Sequence, residues 1–279
     1  MHWKTARRTL ALDRPLVMGI LNVTPDSFSD GGTFLSPDAA VARAERMIAD
    51  GADIIDIGGE STRPGSASVD PDIEIKRVVP VIERLSKTID IPISVDTTKP
   101  AVAAAGIAAG AEIINDISGL RWEPELADIA AQTQAGLVLM HSRGSFDELH
   151  SQPPVDDILA EVTADLTRAI TMAKERGVSS GQIAIDVGIG FGKSFEQNLL
   201  LLAKLDQIVN EFPEFPMIVG GSRKSFIGKI LGDAPIDHRL GGSLAAAILV
   251  IQRGAKIVRV HDVRETVQAL TVLSAIEAK

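Results

Sequence analysis

Polar residues that could do chemistry recur along this chain where short apolar runs end. Each run of aliphatic and β-branched residues predicts a buried strand, and a residue that an apolar core would reject follows at its end. In chain order these residues are Asn22, Glu60, Ser61, Thr62, Arg63, Asp96, Asn115, His141, Asp186, Ser222, Arg223, Lys224, Arg259 and His261. Acids, amides and cations brought together could bind a polar, anionic small molecule.

Two carboxylates, Asp96 in ISVDT and Asp186 in AIDVG, each follow an apolar run. Each could cap the helix that follows or contact a ligand, and the sequence leaves both roles open. Asp56 and Asp116 also lie near strand ends, and for these two we expect capping or packing roles. Asn115 could be a turn residue as well as a ligand contact.

Arg259 and His261 share one face of the predicted strand KIVRVH with Ile257, because side chains alternate between the two faces of a strand. An arginine on the inward face of a barrel strand is costly unless it meets an anion. That anion could be a ligand, or it could be Asp96 or Asp186 in a structural ion pair.

Arg223 and Lys224, in SRKS, precede the predicted helix FIGKILG. The first backbone N–H groups of that helix could add to an anion site. Together with Arg63 and Arg259 these residues would form a positive mouth in a chain whose net charge is −9. Such a mouth would attract anionic ligands.

The stretch DVGIGFGKS, residues 186–194, ends like a nucleotide-binding P-loop. That motif needs a glycine five residues before the glycine that precedes the lysine, and Val187 occupies this position. The template therefore fails. Asp186, which begins the stretch, keeps the two roles left open above, and the glycines could let the backbone turn tightly beside it.

The apolar runs predict eight strands, separated by stretches of helical composition. Ser36 followed by Pro37 predicts a helix start, and Gly177 predicts a helix end. Such alternation indicates a parallel sheet covered on both faces, and eight units favour a closed barrel. The predicted strands span residues 16–22, 53–59, 92–97, 112–117, 136–141, 182–187, 216–222 and 256–261.

We therefore expect an α/β protein with the (β/α)8 TIM-barrel fold, and an open doubly wound sheet is the alternative. A single domain would span residues 1–279, with an N-terminal extension over about residues 1–14. The active site would lie at the mouth where the C-terminal ends of the strands meet. The long glycine- and proline-rich loops VTPDSFSDGGTF and ESTRPGSASVDP would act as functional lids.

Composition argues against several classes of function. The chain lacks cysteine and any dense Lys/Arg block, and 4% of its residues are aromatic, which disfavours disulfides, thiolate metal sites and nucleic-acid binding. Its five histidines are scattered, and we expect His2, His150 and His238 to be surface residues. The longest apolar run is too short to cross a bilayer, and the N-terminus lacks a signal-peptide core. We expect a cytoplasmic enzyme.

A series of sequence blocks, spread in order over almost the whole chain, resembles dihydropteroate synthase, an enzyme family of the folate pathway. The blocks are MGILNVTPDSFSDGG (18–32), DIGGESTRPGS (56–66), ISVDT (93–97), INDISG (114–119), LMH (139–141), IDVGIGFGKS (185–194), SRKSFIG (222–228), RLGGSLAAA (239–247) and VRVHDV (258–263). SRKSFIG and NVTPDSFSDGG are the most diagnostic.

The resemblance implies a TIM barrel that joins 6-hydroxymethyl-7,8-dihydropterin pyrophosphate to p-aminobenzoate, releasing pyrophosphate and 7,8-dihydropteroate. It also implies Mg²⁺, a homodimer and inhibition by sulfonamides. Carried over by motif, the pterin residues are Asp96, Asn115, Met140, Asp186 and Lys224, and the pyrophosphate residues are Asn22, Arg259 and His261, with Asn22 also reaching Mg²⁺. The p-aminobenzoate residues are Phe28, Asp30, Thr62, Arg63, Pro64, Phe191 and Ser225.

The chemistry of the substrates agrees with these roles. A carboxylate such as Asp186 can accept the two adjacent N–H donors of a pterin edge, and the Asn115 amide can both donate and accept. Breaking the C–O bond leaves a delocalised cation, for which Asp96 is the natural counter-charge. An aryl amine is neutral at pH 7, so no strong base is required. Asp96, Lys224, Arg259 and His261 are the expected catalytic residues.

Three positions depart from the usual family pattern, namely Val187, Gly221 and the segment that follows His141. Two alternatives stand beside the synthase interpretation. A pterin-binding module of corrinoid methyl transfer would share the barrel but would not need SRKS or the pair Arg259 and His261. A catalytically inactive paralogue would bind pterin without turnover.

Overall fold

The computed structural model of the protein describes residues 1–24, 36–63 and 65–279. Two short N-terminal strands are followed by eight that alternate with helices. Over the described ranges the strands are β1 His2–Lys4, β2 Thr9–Ala11, β3 Leu16–Asn22, β4 Ile54–Gly58, β5 Ile93–Asp96, β6 Ile113–Asp116, β7 Gly136–Met140, β8 Ile183–Asp186, β9 Met217–Val219 and β10 Ile257–Val260. The last eight correspond to the eight predicted strands.

Strands β3 to β10 form a closed, all-parallel barrel in sequence order. Each strand pairs with the next, and β10 returns to pair with β3, with Arg259 opposite Met18. The predicted (β/α)8 TIM barrel is therefore confirmed, and the alternative of an open doubly wound sheet is wrong because the sheet has no free edge. Closure brings the C-terminal strand ends to a single mouth.

The helices surround the barrel, and none in the described part of the chain is long and apolar enough to span a membrane. In that part they are α1 Pro37–Ala49, α2 Pro71–Leu85, α3 Pro100–Ala109, α4 Glu125–Thr133, α5 Ile158–Glu175, α6 Phe195–Ala203, α7 Leu205–Glu211, α8 Ser225–Ile230, α9 Leu240–Gln252 and α10 Val263–Glu277. Ser36 caps α1 as predicted, and its Oγ accepts from the Ala39 backbone N–H at 3.3 Å. Gly177 has a φ of 93° just past α5, which agrees with the predicted helix end.

The N-terminal residues close the end of the barrel opposite the mouth. Strands β1 and β2 pair antiparallel, and the side chain of Trp3 is fully buried, with its Nε1–H donating to the Gln182 carbonyl at 2.8 Å. Arg8 and Thr5 contact the buried carboxylate of Glu112 at 2.8 and 2.6 Å. The residues that were predicted to form an N-terminal extension thus pack against the barrel and close this end as a plug.

The barrel interior changes from apolar to polar along the strands. Its lower layer packs beneath Trp3 and contains Leu16, Met18, Ile54, Ile113, Val138, Ala184, Ile218 and Ile257. Two residues further along several strands the same inward face carries polar side chains, because inward positions recur at every second residue. Asp56 follows Ile54, Asn115 follows Ile113, and Asp186 follows Ala184. The site is built on these second inward positions.

Candidate active site

A cavity of about 490 Å³ opens at the C-terminal ends of the barrel strands. It gathers residues that are far apart in the chain. The predicted site residues that line it are Asn22, Thr62, Arg63, Asp96, Asn115, Met140, Asp186, Phe191, Lys224, Ser225, Arg259 and His261. Three further predicted residues, Phe28, Asp30 and Pro64, lie outside the residues that the structure describes.

Arg259 forms two ion pairs at the floor of this cavity. Its Nε contacts Asp56 Oδ2 and its Nη2 contacts Asp96 Oδ2, both at 2.6 Å. Asp56 also accepts from the Asn115 amide at 3.1 Å. Asp56 is fully buried and does not line the cavity, so its expected packing role is confirmed, and the structure adds its partner Arg259. Its position two residues after the inward-facing Ile54 is the signal that indicates a place inside the barrel.

The ion pairs shape the protonation of Asp96 and Arg259. Burial raises the pKa of Asp96 to about 7, and the nearby Asp56 charge adds to the rise while Arg259 opposes it. The pKa of Arg259 lies above its ordinary value, because the neighbouring carboxylates outweigh the effect of burial. Arg259 is thus charged throughout the physiological range, while Asp96 titrates near neutrality.

Asp186 lies at the end of β8 and faces the same cavity. Its Oδ1 accepts from the Gly188 backbone N–H at 2.7 Å, and burial raises its pKa. Asp116 differs, since its two carboxylate oxygens accept from the backbone N–H groups of Ser118 and Leu120 at 2.8 and 2.7 Å. The capping or packing role expected for Asp116 is confirmed, since its carboxylate caps backbone N–H groups after β6.

Lys193, the lysine of the P-loop-like stretch, holds the loop after β8 together. Its Nζ donates to the carbonyls of His141, Gly188 and Phe191 at 3.2, 2.8 and 3.0 Å. Burial lowers its pKa to about 7. A side chain on Gly188 would place its Cβ 1.8 Å from the His141 carbonyl oxygen, so glycine is required there. This lysine binds backbone carbonyls and not a phosphate.

Lys224 lies in the cavity with its Nζ 4.0 Å from the ring centroid of Phe191. Burial, together with the positive charge of Arg259, lowers its pKa to about 8. Its neighbour Arg223 is bound to Asp262, with Nε and Oδ2 2.9 Å apart. The positive charge at the mouth is therefore smaller than four unpaired cations would give, because Arg223 and Arg259 both have carboxylate partners.

His261 contributes a ring that is neutral at pH 7. Burial, together with the cationic neighbours Arg259, Arg223 and Lys224, lowers its pKa to about 3. The ring Nδ1 lies 3.2 Å from the Ser222 Oγ. In the free site His261 therefore offers hydrogen bonding without charge, and a bound polyanion would favour its protonation.

A family model for pterin-binding enzymes matches residues 18–261. The chain is 47% identical to the dihydropteroate synthase of Escherichia coli strain K12 over 269 residues, which is 96% of this chain and 93% of that protein. The chain belongs to the dihydropteroate synthase family of pterin-binding enzymes.

Solved structures in the dihydropteroate synthase family superpose closely on this chain. The Xanthomonas albilineans enzyme with 4-aminobenzoic acid has a TM-score of 0.93 and 47% identity, and the match covers 100% of both chains. The Yersinia pestis enzyme in a sulfonamide drug complex has a TM-score of 0.94 and 43% identity, again over 100% of both chains.

The three departures from the family pattern fit into the barrel. Val187 is fully buried in the apolar core, and a Cβ on Gly221 would meet Ala246 at an ordinary 3.5 Å. The segment after His141 is anchored by Leu149, which packs with Met140 in a small apolar cluster. The segment thus still covers Met140 with a buried side chain.

The loop after β4 is fixed to the barrel by a buried salt bridge. Glu60 Oε1 accepts from the Val69 backbone N–H at 2.6 Å and from Lys99 Nζ at 2.7 Å. Lys99 also contacts the buried carboxylate of Glu74 at 2.6 Å. Since Thr62 lies between Glu60 and Val69, this network sets where it meets the cavity.

His150 was expected to be a surface residue, and that expectation is incomplete. The residue is exposed, yet it lines the cavity, with its Nε2 2.7 Å from the Thr62 carbonyl oxygen. Its ring centroid lies 6.2 Å from that of Phe191. Nothing in the local sequence indicates this contact, because the two partners belong to loops after different strands.

Two oxygen-bearing residues face the same space at the mouth and suit Mg²⁺. A Cβ on Gly58 would lie 3.6 Å from Asp96 Oδ2 and 3.7 Å from Asn22 Oδ1, so both oxygens border the same space, although Asp96 Oδ2 already accepts from Arg259. Over residues 1–24, 36–63 and 65–279 there is no cluster of three or more His, Cys, Asp or Glu side chains that could hold a metal. The donors therefore fit a Mg²⁺ that takes most of its ligands from phosphate and water.

Proposed function

We propose that this chain is a transferase that condenses 6-hydroxymethyl-7,8-dihydropterin pyrophosphate with p-aminobenzoate, giving 7,8-dihydropteroate and pyrophosphate. The observation that carries this proposal is a single cavity that joins two kinds of recognition. Asp186 and Asn115 offer an acceptor and an amide for a heterocycle edge, and Arg259 and His261 offer donors for a polyanion. Membership of the dihydropteroate synthase family supports the same reaction.

The pterin would lie deep in the cavity, against Asp186 and Asn115. The Asp186 carboxylate would accept two adjacent N–H groups of the pyrimidine edge, since a carboxylate can receive a bidentate pair. Asn115 is oriented by its hydrogen bond to Asp56, which leaves its amide oxygen for the ring. Lys224 would donate to a ring oxygen or nitrogen, and Met140 would pack against the ring system.

The pyrophosphate group would bind Arg259, His261 and Asn22. A guanidinium has five N–H donors, and two of those of Arg259 are used by Asp56 and Asp96. The rest can meet phosphate oxygens. When bound with the pyrophosphate, Mg²⁺ would neutralise charge that develops on the leaving oxygen. Calorimetry of pyrophosphate binding with and without Mg²⁺, in the wild type and in Asn22→Ala, tests this assignment apart from turnover.

The reaction would proceed by ionisation of the pterin C–O bond. The bonding pair leaves with the pyrophosphate, and the positive charge spreads over the dihydropterin. Ionised Asp96 stabilises that cation, while Arg259 and His261 stabilise the departing anion. The amine nitrogen of p-aminobenzoate then forms the new C–N bond and loses one proton to water or pyrophosphate.

The second substrate would bind nearer the rim, between Phe191, Ser225 and Thr62, with Arg63 near its carboxylate. Phe28, Asp30 and Pro64 are proposed to complete this subsite. The structures of the relatives with 4-aminobenzoic acid and with a sulfonamide drug support a subsite for such aryl amines. We therefore also propose that sulfonamides compete with p-aminobenzoate, which competition kinetics would test.

The proposed function is tested with the purified chain, both substrates and Mg²⁺. Pyrophosphate release coupled to 7,8-dihydropteroate formation is the expected result. No release at micromolar enzyme would overturn the proposal. Pterin binding without release would favour an inactive paralogue, and methyl transfer from a methylated pterin to a corrinoid would favour a methyltransferase module.

We also propose that the chain forms a homodimer. Helix α9 carries the apolar run LAAAILVI, and Ile248 and Leu249 on it are half-buried. The nearby Ile230, Leu231 and Ile236 are 56%, 49% and 44% exposed. A second copy could cover these apolar side chains. Sedimentation velocity would show a species of twice the chain mass, while the cytoplasmic location stays a prediction.

A further inference from the structure

The loop between β7 and α5 reaches across the mouth through His150. Its Nε2 lies 2.7 Å from the carbonyl oxygen of Thr62, which belongs to the loop between β4 and α2. Its ring lies 6.2 Å from Phe191, on the loop after β8, with 32° between the planes. All three residues line the cavity. One side chain therefore joins three loops of the site.

His150 is held in this place by its own loop. Leu149 is 1% exposed and packs with Ile117, Met140 and Phe191. The Ser145 backbone N–H and Oγ both donate to the Glu148 carboxylate, at 3.1 and 2.9 Å, which fixes the turn before Leu149. The direction in which the imidazole enters the mouth is thus set by buried neighbours.

The contact with Thr62 has a defined chemistry. A carbonyl oxygen accepts, so Nε2 must carry the hydrogen, and a neutral imidazole can meet this requirement. Glu60 fixes the other side of the same loop through Lys99. The segment that carries Thr62 is therefore anchored by two contacts, the salt bridge of Glu60 with Lys99 and the hydrogen bond from His150 to the Thr62 carbonyl.

We propose that His150 is a positioning residue for the aryl amine subsite. Its Nε2–H fixes the Thr62 carbonyl, and its ring extends the aromatic wall of Phe191. This inference rests on the proposed function, because it assigns the subsite to p-aminobenzoate. It separates His150 from the residues that contact the pterin, so its removal affects one substrate and spares the other.

Three substitutions separate the two contributions. His150→Ala removes both, His150→Gln keeps an N–H donor without a ring, and His150→Phe keeps a ring without the donor. The matched control is His2→Ala, an exposed histidine at the opposite end of the barrel. For His150→Ala we expect the KM for p-aminobenzoate to rise about tenfold, as loss of one hydrogen bond and a ring contact would give.

We expect His150→Ala to change the KM for one substrate and not for the other, and we expect the Gln and Phe variants to restore part of the lost affinity. The KM for the pterin substrate and kcat should stay within about twofold of wild type, and the Gln and Phe variants should each recover part of the affinity. An unchanged KM for p-aminobenzoate, or an equal rise for both substrates, would overturn the inference. So would a loss of Tm that accounts for the whole effect.

A binding measurement keeps this test apart from that of the proposed function. Calorimetry of p-aminobenzoate, in the presence of pyrophosphate and Mg²⁺, compares wild type with His150→Ala without any turnover. Weaker binding by the variant supports the inference even if the wild type releases no pyrophosphate. Equal binding by both proteins rejects it even if the wild type is an active synthase.

Discussion

The Arg259 Nη2 donates to Asp96 Oδ2 at 2.6 Å, which places the cation proposed to bind pyrophosphate beside the carboxylate proposed to stabilise the cationic intermediate. The two charges balance each other in the free site. Under the proposed roles, Arg259 would turn part of its charge toward pyrophosphate and leave Asp96 freer to face the pterin. Binding of the leaving group and stabilisation of the cation would then be linked in one ion pair.

The pH dependence of kcat/KM should be bell-shaped and narrow. As pH falls through the Asp96 pKa of about 7, the carboxylate is protonated and loses its charge. As pH rises through the Lys224 pKa of about 8, the ammonium loses the proton that it donates. Initial rates between pH 5 and 10 would show both limbs. A flat profile across this range would contradict the assigned roles.

Asp56→Asn should move the acid limb of that profile to lower pH. The Asp56 charge helps to raise the pKa of Asp96, and its removal also leaves Arg259 with one carboxylate fewer. Both effects lower the pKa of Asp96. The same kcat/KM profile measures the shift, with the exposed Asp13→Asn as control. An acid limb that does not move would show that Asp96 is not the titrating group.

Asp96→Ala and Lys224→Ala should each lower turnover by about 10²-fold or more, since each removes a charge that acts on the reacting pterin. Both side chains line the cavity, and neither belongs to the apolar core. Steady-state kinetics measures the loss, and circular dichroism checks that the barrel is intact. A kcat near that of the wild type in either variant would refute the role assigned to it.

Lys193→Met should destabilise the protein and weaken the binding of p-aminobenzoate. We expect it to have no effect on nucleotide binding. The substitution leaves three backbone carbonyls without their ammonium donor, which costs about 1–3 kcal/mol. The loop that carries Phe191 would loosen as well. Urea unfolding and calorimetry measure the two effects. If the wild type bound ATP and Lys193→Met abolished that binding, the lysine would be shown to bind phosphate.

Lys99→Met should be more harmful than the double substitution Lys99→Met with Glu74→Gln. The single change leaves the buried carboxylate of Glu74 without its cation, at a cost of about 3 kcal/mol in the free energy of unfolding. A neutral glutamine removes the uncompensated charge, so the double variant should regain part of the loss. Chemical denaturation of the wild type, Lys99→Met, Glu74→Gln and the double variant tests this. Simple additivity of the two single effects would argue against coupling.

Sequence patterns predict much of this site because a barrel imposes a simple rule. Every second residue of a strand faces inward, and the last inward position lies at the mouth. Asp96, Asn115, Asp186 and Arg259 follow this rule, and all four were predicted. Asp56 also faces inward, but it lies one inward position before Gly58 at the end of β4, and its pairing with Arg259 was not predicted.

Contacts between loops could not be predicted in the same way. His150 meets Thr62 across 88 positions of the chain, and Arg223 meets Asp262 across 39. Neither pair has a periodic signature, since the paths of loops depend on how the closed barrel brings them together. Local propensity could place each residue on a loop but could not identify its partner.

The plug around Trp3 closes the end of the barrel opposite the mouth. With that tryptophan fully buried beneath the apolar layer, the described part of the chain leaves the cavity open toward the mouth and closed at the opposite end. Under the proposed roles, a pterin bound at Asp186 lies behind an aryl amine bound near Thr62 and His150. The pterin would then have to bind before the aryl amine, and the joined product would leave through the same mouth. The N-terminal hairpin, at the opposite end of the barrel, would in this way impose an order on substrate binding.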